Sequence, residues 1–547
     1  MFLQTTSSSC STQLKQLRLC STSSYSKTSF GFKTFSSSSS ILLHGNHRNN
    51  NNSIIANYIP QIYNYKKSDF ERKPTPKWSI VYRRISLMEN PEMGSAFVLN
   101  QLDKEGKNLS RWELCRVVKE LRRFRRFKLA LEVYEWMNEQ GDKFTLSSSD
   151  AAIHLDLISK VLGIPSTEEY FSRLPETLKD KRTYGSLLNA YVRARLKEKA
   201  ESLLEEMISK GYAMHPLPFN VMMTLYMKLR DYDKAISIVA QMLEKSIPLD
   251  IYTYNIWLTA CGATGSTEKM EEVLELMKMD TTVDPNWTTY STMATIYMNL
   301  GHLSKAKNNL RMVEGKITGR ERIPFHYLLS LYGGIGEKED VYRIWNTYKT
   351  SFPTIPNLGY HSMIASLVRL DDIEGAKKIY EEWLPLRSTY DPRICNLLIG
   401  WYVKNGLLEK AEDFVDQVLE AGGKVNAHTW EMLADGHIQK KQIPEVLSCI
   451  KEATMAEGGK TWRPSPTSVS QFLFLCVEES EMASKKAFLE LLTRAGCLND
   501  ERYRSLISSN GEVDFGLKIS VDKDETGSDN DDDSGADMLL NQLEGSF

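Results

Sequence analysis

What this chain lacks narrows what it can be. No two of its eight cysteines are spaced as CxxC, so neither a thioredoxin-like redox motif nor a cysteine-rich zinc site is encoded. Cys10 and Cys20 lie in the first 68 residues. The other six (Cys115, Cys261, Cys395, Cys449, Cys476 and Cys497) are far apart and are expected to be buried, reduced helix residues. No run approaches the roughly 18 apolar residues that a membrane-spanning helix needs, and no membrane partner is expected. There is no Gly-rich phosphate loop and no G-x-S-x-G elbow. A zinc deaminase would need an HxE motif with a downstream CxxC; neither is present, and His428-Thr429-Trp430-Glu431 has the wrong spacing. Asp529, Asp531, Asp532 and Asp533 sit in a Gly/Ser-rich stretch, where a solvated acidic run is expected rather than a metal cage. These absences point away from an enzyme. No cofactor, metal or small-molecule substrate is expected.

Charge is missing locally rather than globally. Residues 1–68 hold seven Lys or Arg and no acid, whereas the stretch from Glu512 to Phe547 holds eleven acidic and two basic residues. Those +7 and −9 segments account for the chain's net −2 and leave residues 69–511 neutral. Any basic surface must therefore be local. Residues 1–68 are rich in Ser and Thr, with the run Ser36–Ser40 and the tract Asn49–Asn52, which is organelle-import composition. With only Arg18 and Arg48 as arginines, the chloroplast is preferred and the mitochondrion is the alternative.

What the chain has is a repeat. Thr183-Tyr184, Phe219-Asn220, Tyr254-Asn255, Tyr290-Ser291, Phe325-His326, Tyr360-His361 and Cys395-Asn396 recur about every 35 residues, the length of a stacking helix–turn–helix unit. Tyr184, Leu187, Leu188 and Tyr191 share one helical face, and Ala200, Leu203, Leu204 and Met207 share a face of the next helix. Gly211 closes that unit. The predicted fold is an all-α, right-handed superhelical solenoid. Its expected divisions are an organelle-targeting stretch at 1–68, an irregular helical segment at 69–110, about eleven helix pairs at 111–502 (clearest over 182–426), and an acidic disordered tail at 503–547. Within the tail, Met538-Leu539-Leu540 is a short apolar stretch.

A tetratricopeptide unit would place Trp early in the first helix and Gly four positions on. Here Tyr184 and Leu188, or Tyr254 and Leu258, stand in those places. The recurring Thr-Tyr-Asn or Thr-Tyr-Ser, then Gly, then Ala, then Met resembles the pentatricopeptide repeat family in its pure form of 35-residue units. That resemblance implies a plant organellar protein binding single-stranded RNA, about one base per unit, read by two or three side chains. The implied reading pair is the residue after the first-helix aromatic together with the last residue of the unit. It gives Asn220 with Asp250, Asn255 with Asn286, and Asn396 with Asn426, all pyrimidine-associated combinations. Ser291 and the pair His361 with Asp391 are further candidates, while Cys115, Gly185, Glu321, His326 and Glu431 depart from the pattern. For the RNA backbone the candidates are Arg116, Lys119, Arg122, Arg123, Arg125 and Arg126, beside Lys128 and interleaved with Phe124 and Phe127. The expected function is occupancy of RNA that supports processing, stability or translation, with other RNA-processing proteins as further partners. The alternative is a protein–protein scaffold.

Overall fold

A computed structural model describes residues 77–88, 93–319, 321–387, 389–456 and 462–509. The import-like stretch 1–68, and residues 510–547 with their acidic run and Met538-Leu539-Leu540, lie outside the described residues. Within the described residues there are twenty-five α-helices and no strand. The chain divides into two compact units, one ending at Leu249 and the other beginning at Asp250.

The first unit is built of helix hairpins. These pair α1 (Lys77–Ser86) with α2 (Gly94–Lys104), α3 (Arg111–Arg123) with α4 (Phe127–Glu139), and α5 (Ser148–Val161) with α6 (Ile164–Arg173). Then come α7 (Lys181–Arg193) with α8 (Lys197–Ser209), and α9 (Pro216–Lys228) with α10 (Tyr232–Glu244). The second unit continues the pattern. It pairs α11 (Ile251–Ala263) with α12 (Thr267–Met279), α13 (Trp287–Asn299) with α14 (Leu303–Gly315), and α15 (Ile323–Gly334) with α16 (Lys338–Ser351). Next are α17 (Asn357–Arg369) with α18 (Ile373–Leu386), and α19 (Pro392–Lys404) with α20 (Leu408–Glu420). Last come α21 (Ala427–Gln439) with α22 (Ile443–Ala456), α23 (Pro466–Glu478) with α24 (Met482–Arg494), and the short α25 (Glu501–Ser509). Within each unit the first helix of one pair packs on the first helix of the next, save that toward the preceding pair α5 packs mainly on α4, and each unit is an α-solenoid. Eleven pairs run from α3 to α24. Two boundaries differ from the sequence reading. Residues 69–110 include the regular pair α1–α2, and α25 carries the helical body past residue 502, because Tyr503 is buried and its hydroxyl donates to the Pro464 carbonyl at 2.7 Å.

Local chemistry sets the period. A short polar side chain caps the first helix in many units: Ser110, Ser147, Asp180, Asp250, Asn286, Asp391, Asn426 and Ser465 each accept from a backbone N–H of the first turn. From α3 onward the turn into the second helix uses one left-handed residue. Gly265, Gly301, Gly336 and Gly406 supply it freely, while Arg125, Arg195, Arg230, Asp371, Lys441 and Ser480 adopt it at φ of 56°, 56°, 57°, 58°, 57° and 56°. The apolar face is then buried. Tyr184, Leu187, Leu188 and Tyr191 in α7, with Ala200, Leu203, Leu204 and Met207 in α8, are all core residues.

Neighbouring pairs are also stapled by a recurring triad. Glu168 accepts from Tyr191 at 2.9 Å and Lys199 at 2.6 Å; Glu201 accepts from Tyr226 at 2.7 Å and Lys234 at 3.0 Å. Glu271 repeats it with Tyr297 at 2.7 Å and Lys305 at 2.8 Å. In each case the acid comes from the second helix of one pair and its partners from both helices of the next. Solvent screens part-exposed ion pairs of this kind, so register rather than bulk stability is their main effect.

Candidate nucleic-acid interface

The candidate base-reading residue sits just over one turn into each first helix. Residues three before it, four after it and eight after it share its face.

Two of the three Asn pairs are brought together. Asn396 donates through Nδ2 to Asn426 Oδ1 at 3.1 Å, and its own Oδ1 accepts from Thr429 Oγ1 at 2.7 Å. Asn255 donates to Thr288 Oγ1 at 3.1 Å, and that hydroxyl donates to Asn286 Oδ1 at 2.6 Å, so the second pair is bridged through a threonine. Asn286 and Asn426 are helix caps, and their carbonyl oxygens also accept backbone N–H groups. For the remaining pair, Asn220 closes inside the first unit with no exposed surface. Asp250 opens the second unit as the cap of α11, in a reciprocal capping box with Thr253. His361 is half-buried, and burial together with Arg393 lowers its pKa against the opposing pull of Asp391. Asp391 caps α19 and holds Arg393 at 2.8 Å.

Three successive units share an unusual feature at this register. Asn255 Oδ1, Ser291 Oγ and His326 Nδ1 are each buried with no hydrogen-bond partner among the described residues. Leaving one such atom unpaired costs about 1–3 kcal/mol. For Asn255 the conclusion survives an amide flip, because Thr288 satisfies only one end. His326, which departs from the family pattern, uses Nε2 on the Tyr348 hydroxyl at 2.9 Å and leaves Nδ1 orphaned. The run leaves hydrogen-bonding capacity with the period of the repeat.

The basic cluster around α3 is not one uniform surface. Lys119, Arg123, Arg125, Arg126 and Lys128 are exposed. Arg116 pairs with Glu120 at 3.3 Å and lies 5.2 Å from the Trp78 ring. Arg126 donates to the Ser86 carbonyl at 3.1 Å, and Arg122 turns inward to Asp156 at 3.0 Å. Phe127 packs against the core with Lys160 over its ring, whereas Phe124 stays exposed, its ring 6.1 Å from that of Tyr82. Trp78, Tyr82 and Phe124 amid arginines form a surface suited to stacking bases and holding phosphates.

Two rows extend beyond the sequence reading, which named only Arg123 among their members. Three residues before the base-reading position stand Trp112, Ile323 and Leu358, which are 67%, 53% and 52% exposed, large apolar groups left bare on that face. Eight residues after it stand Arg123, Lys160, Arg193 and Lys228 in the first unit, and Arg369 and Lys404 in the second, each in the last turn of its helix. The signal for both was available: the same 35-residue spacing, applied at a different offset. Within the described residues, no group of three or more His, Cys, Asp or Glu is placed to hold a metal, and no helix is long and apolar enough to cross a membrane. All six cysteines there are free thiols.

Comparison with known proteins decides the family. A pentatricopeptide repeat-containing protein of Arabidopsis thaliana is 58% identical over 463 residues, spanning 83% of this chain and 88% of that protein. The chain belongs to the pentatricopeptide repeat family. The PPR repeat model matches residues 182–212, 252–280, 360–384 and 393–423, and the PPR repeat family model matches 218–263. The Arabidopsis thaliana large ribosomal subunit protein mL101 is 39% identical, covering 78% of this chain and 87% of its own length. A mitochondrial pentatricopeptide repeat-containing protein of the same plant is 33% identical, over 78% of this chain and 85% of its own. Among solved structures, maize PPR10 superposes with a TM-score of 0.47 at 16% identity, over 74% of this chain and 62% of PPR10, just under two thirds of its length.

Proposed function

We propose that this pentatricopeptide repeat protein binds single-stranded RNA in an organelle and acts by occupancy, supporting processing, stability or translation without catalysis. The observation that carries this reading is the run of unpaired buried polar atoms on Asn255, Ser291 and His326, one per repeat at the base-reading register. Bases along a strand bring one Watson–Crick edge per unit, which matches that period. The rows on either side supply what a strand also needs: bare apolar side chains for base faces and cations for phosphates. Asn220 with Asp250, Asn255 with Asn286, and Asn396 with Asn426 are the proposed pyrimidine readers, with Ser291 and His361 with Asp391 beside them.

Several relatives carry the mitochondrion in their names. This weighs toward the mitochondrion, the alternative location, over the chloroplast that composition alone preferred. A second reading has its own support: mL101 is a large ribosomal subunit protein, and the Asn readers here are largely closed. In that reading the repeats hold a place in a ribosomal assembly. Titration of the purified chain against labelled pyrimidine and purine oligoribonucleotides separates the two. Preference for pyrimidine RNA, weakened roughly tenfold or more when Asn220 and Asn255 are both changed to Ala, supports base reading. Equal, weak binding to all sequences, with ribonuclease-resistant sedimentation alongside ribosomal subunits, supports the assembly role.

A further inference from the structure

Four residues past the base-reading position, the repeats mostly keep a small neutral group. Thr224, Thr259 and Thr295 stand there, and each hydroxyl folds back onto the carbonyl four residues earlier, at 2.8, 2.7 and 2.9 Å. They present no charge to the face they line. The equivalent residue of α5 is Asp156. Its Oδ2 meets Arg122 Nη2 of α3 at 3.0 Å and Lys160 Nζ of α5 itself at 3.3 Å, and its Oδ1 meets Arg193 Nη2 of α7 at 3.0 Å. Three successive first helices thus converge their cations on one carboxylate. Lys160 and Arg193 belong to the cationic row already described, and Arg122 leads directly into Arg123 of that row.

Three cations thus meet at the one Asp156 carboxylate. Part of the donor capacity is idle, since Arg122 Nε is buried with no partner among the described residues while its Nη2 is used on Asp156. An arginine fork with one arm unused suits a group with more acceptor oxygens than a carboxylate offers in this pose, as a phosphodiester has. Burial raises the Asp156 pKa, but Lys160, Arg193 and Arg122 outweigh it and hold the carboxyl below its ordinary range, so the group is anionic at neutral pH.

We propose that Asp156 is a built-in phosphate surrogate: in the free protein its carboxylate occupies an anion site formed by Arg122, Lys160 and Arg193, and a ligand phosphodiester takes that site by displacing it. The site rests on the RNA reading for its natural ligand, while its existence as an anion site does not. Asp156 keeps three like charges ordered and soluble until a strand arrives, and it also competes with the strand.

The test neutralises the surrogate in the full chain, as Asp156→Asn and as Asp156→Thr, the residue that α9, α11 and α13 carry at this position. An equal charge change away from the cluster, Asp233→Asn, serves as the control. Two readouts are compared: the salt at which each protein leaves immobilised heparin, and its affinity for a labelled poly-uridine oligonucleotide across a salt series. The proposal expects both Asp156 variants to elute later than the control and to bind the oligonucleotide about fivefold more tightly at about 0.1 M salt. The salt slope should steepen by about 0.7, the value of one added phosphate contact on a single strand. Unchanged or weaker binding to both probes by a variant with a normal melting curve would overturn it and leave Asp156 as a positioning residue. Later elution from heparin with no oligonucleotide binding by any protein would keep the anion site and sink the RNA reading.

Discussion

Ser291 is where stability and recognition pull apart. Its hydroxyl is buried with no partner among the described residues, so the fold carries an unmet hydrogen bond that a ligand could satisfy. Ser291→Ala should therefore raise the unfolding free energy by about 1 kcal/mol while weakening pyrimidine RNA binding. Denaturant melts and RNA titrations on the same preparation check both halves, and a stabilised variant with unchanged affinity would make Ser291 a bystander. Two buried histidines make a second prediction. His154 lies between Tyr134 and Tyr170, with ring centroids at 5.3 and 4.6 Å, and burial pushes its pKa down to about 4. Burial, then Arg322, pushes His326 down to about 4 as well. In the unfolded chain both take up a proton near the ordinary value of 6.5. The unfolded state then binds more protons through this window, so stability is whole above 6.5 and is lost as pH falls toward 4. The melting temperature should begin to drop below about pH 6.5, and His154→Phe should reduce that drop. An acid profile that is flat down to the carboxylate range would contradict this. At this scale the sequence placed Asn220, Asn255 and Asn396 at one register because helical periodicity is local. It did not disclose that Asn220 is closed or that Asn255 has an orphaned end, because burial depends on neighbouring repeats.

At the scale of helices, small residues and turn residues control the stacking. A Cβ on Gly333 of α15 would come within 2.8 Å of the Ser366 side chain and 3.1 Å of its backbone Cα in α17. Gly333→Ala should therefore separate these two first helices and cost about 1–3 kcal/mol, seen as a lower denaturation midpoint. The opposite sign is expected at Arg195, held left-handed at φ 56° between α7 and α8. Arg195→Gly relieves that conformation and should stabilise by about 1 kcal/mol, the cost of a left-handed side chain less the entropy glycine loses. The helix pairs were legible because Gly, Ala and Met recur with a 35-residue period in a pattern of 3.6-residue faces. The six turns without glycine were less so, since nothing in Arg, Asp, Lys or Ser announces a left-handed residue. The Glu–Tyr–Lys staples were also missed: their members lie 23–34 residues apart and join only once one pair packs on the next.

For the whole molecule, a chain with no net charge across its repeat body can still attract a polyanion if its cations share one register. Arg123, Lys160, Arg193 and Lys228 in one unit, and Arg369 and Lys404 in the other, do so. Net charge averaged that pattern away, which is why composition alone gave no sign of it. The composition of the first 68 residues likewise led to a preference for the chloroplast, and the relatives' names tip the proposal to the mitochondrion. The central claim is that this repeat array reads single-stranded RNA base by base. The most direct test is to crosslink the imported protein to RNA in intact mitochondria and sequence the RNA recovered, with an Asn255→Ala, Ser291→Ala double variant in parallel. A discrete footprint with adjacent pyrimidines, lost or blurred in the double variant, is the predicted result. Diffuse or absent crosslinks from folded, imported protein would contradict the claim and move the repeats to a protein assembly.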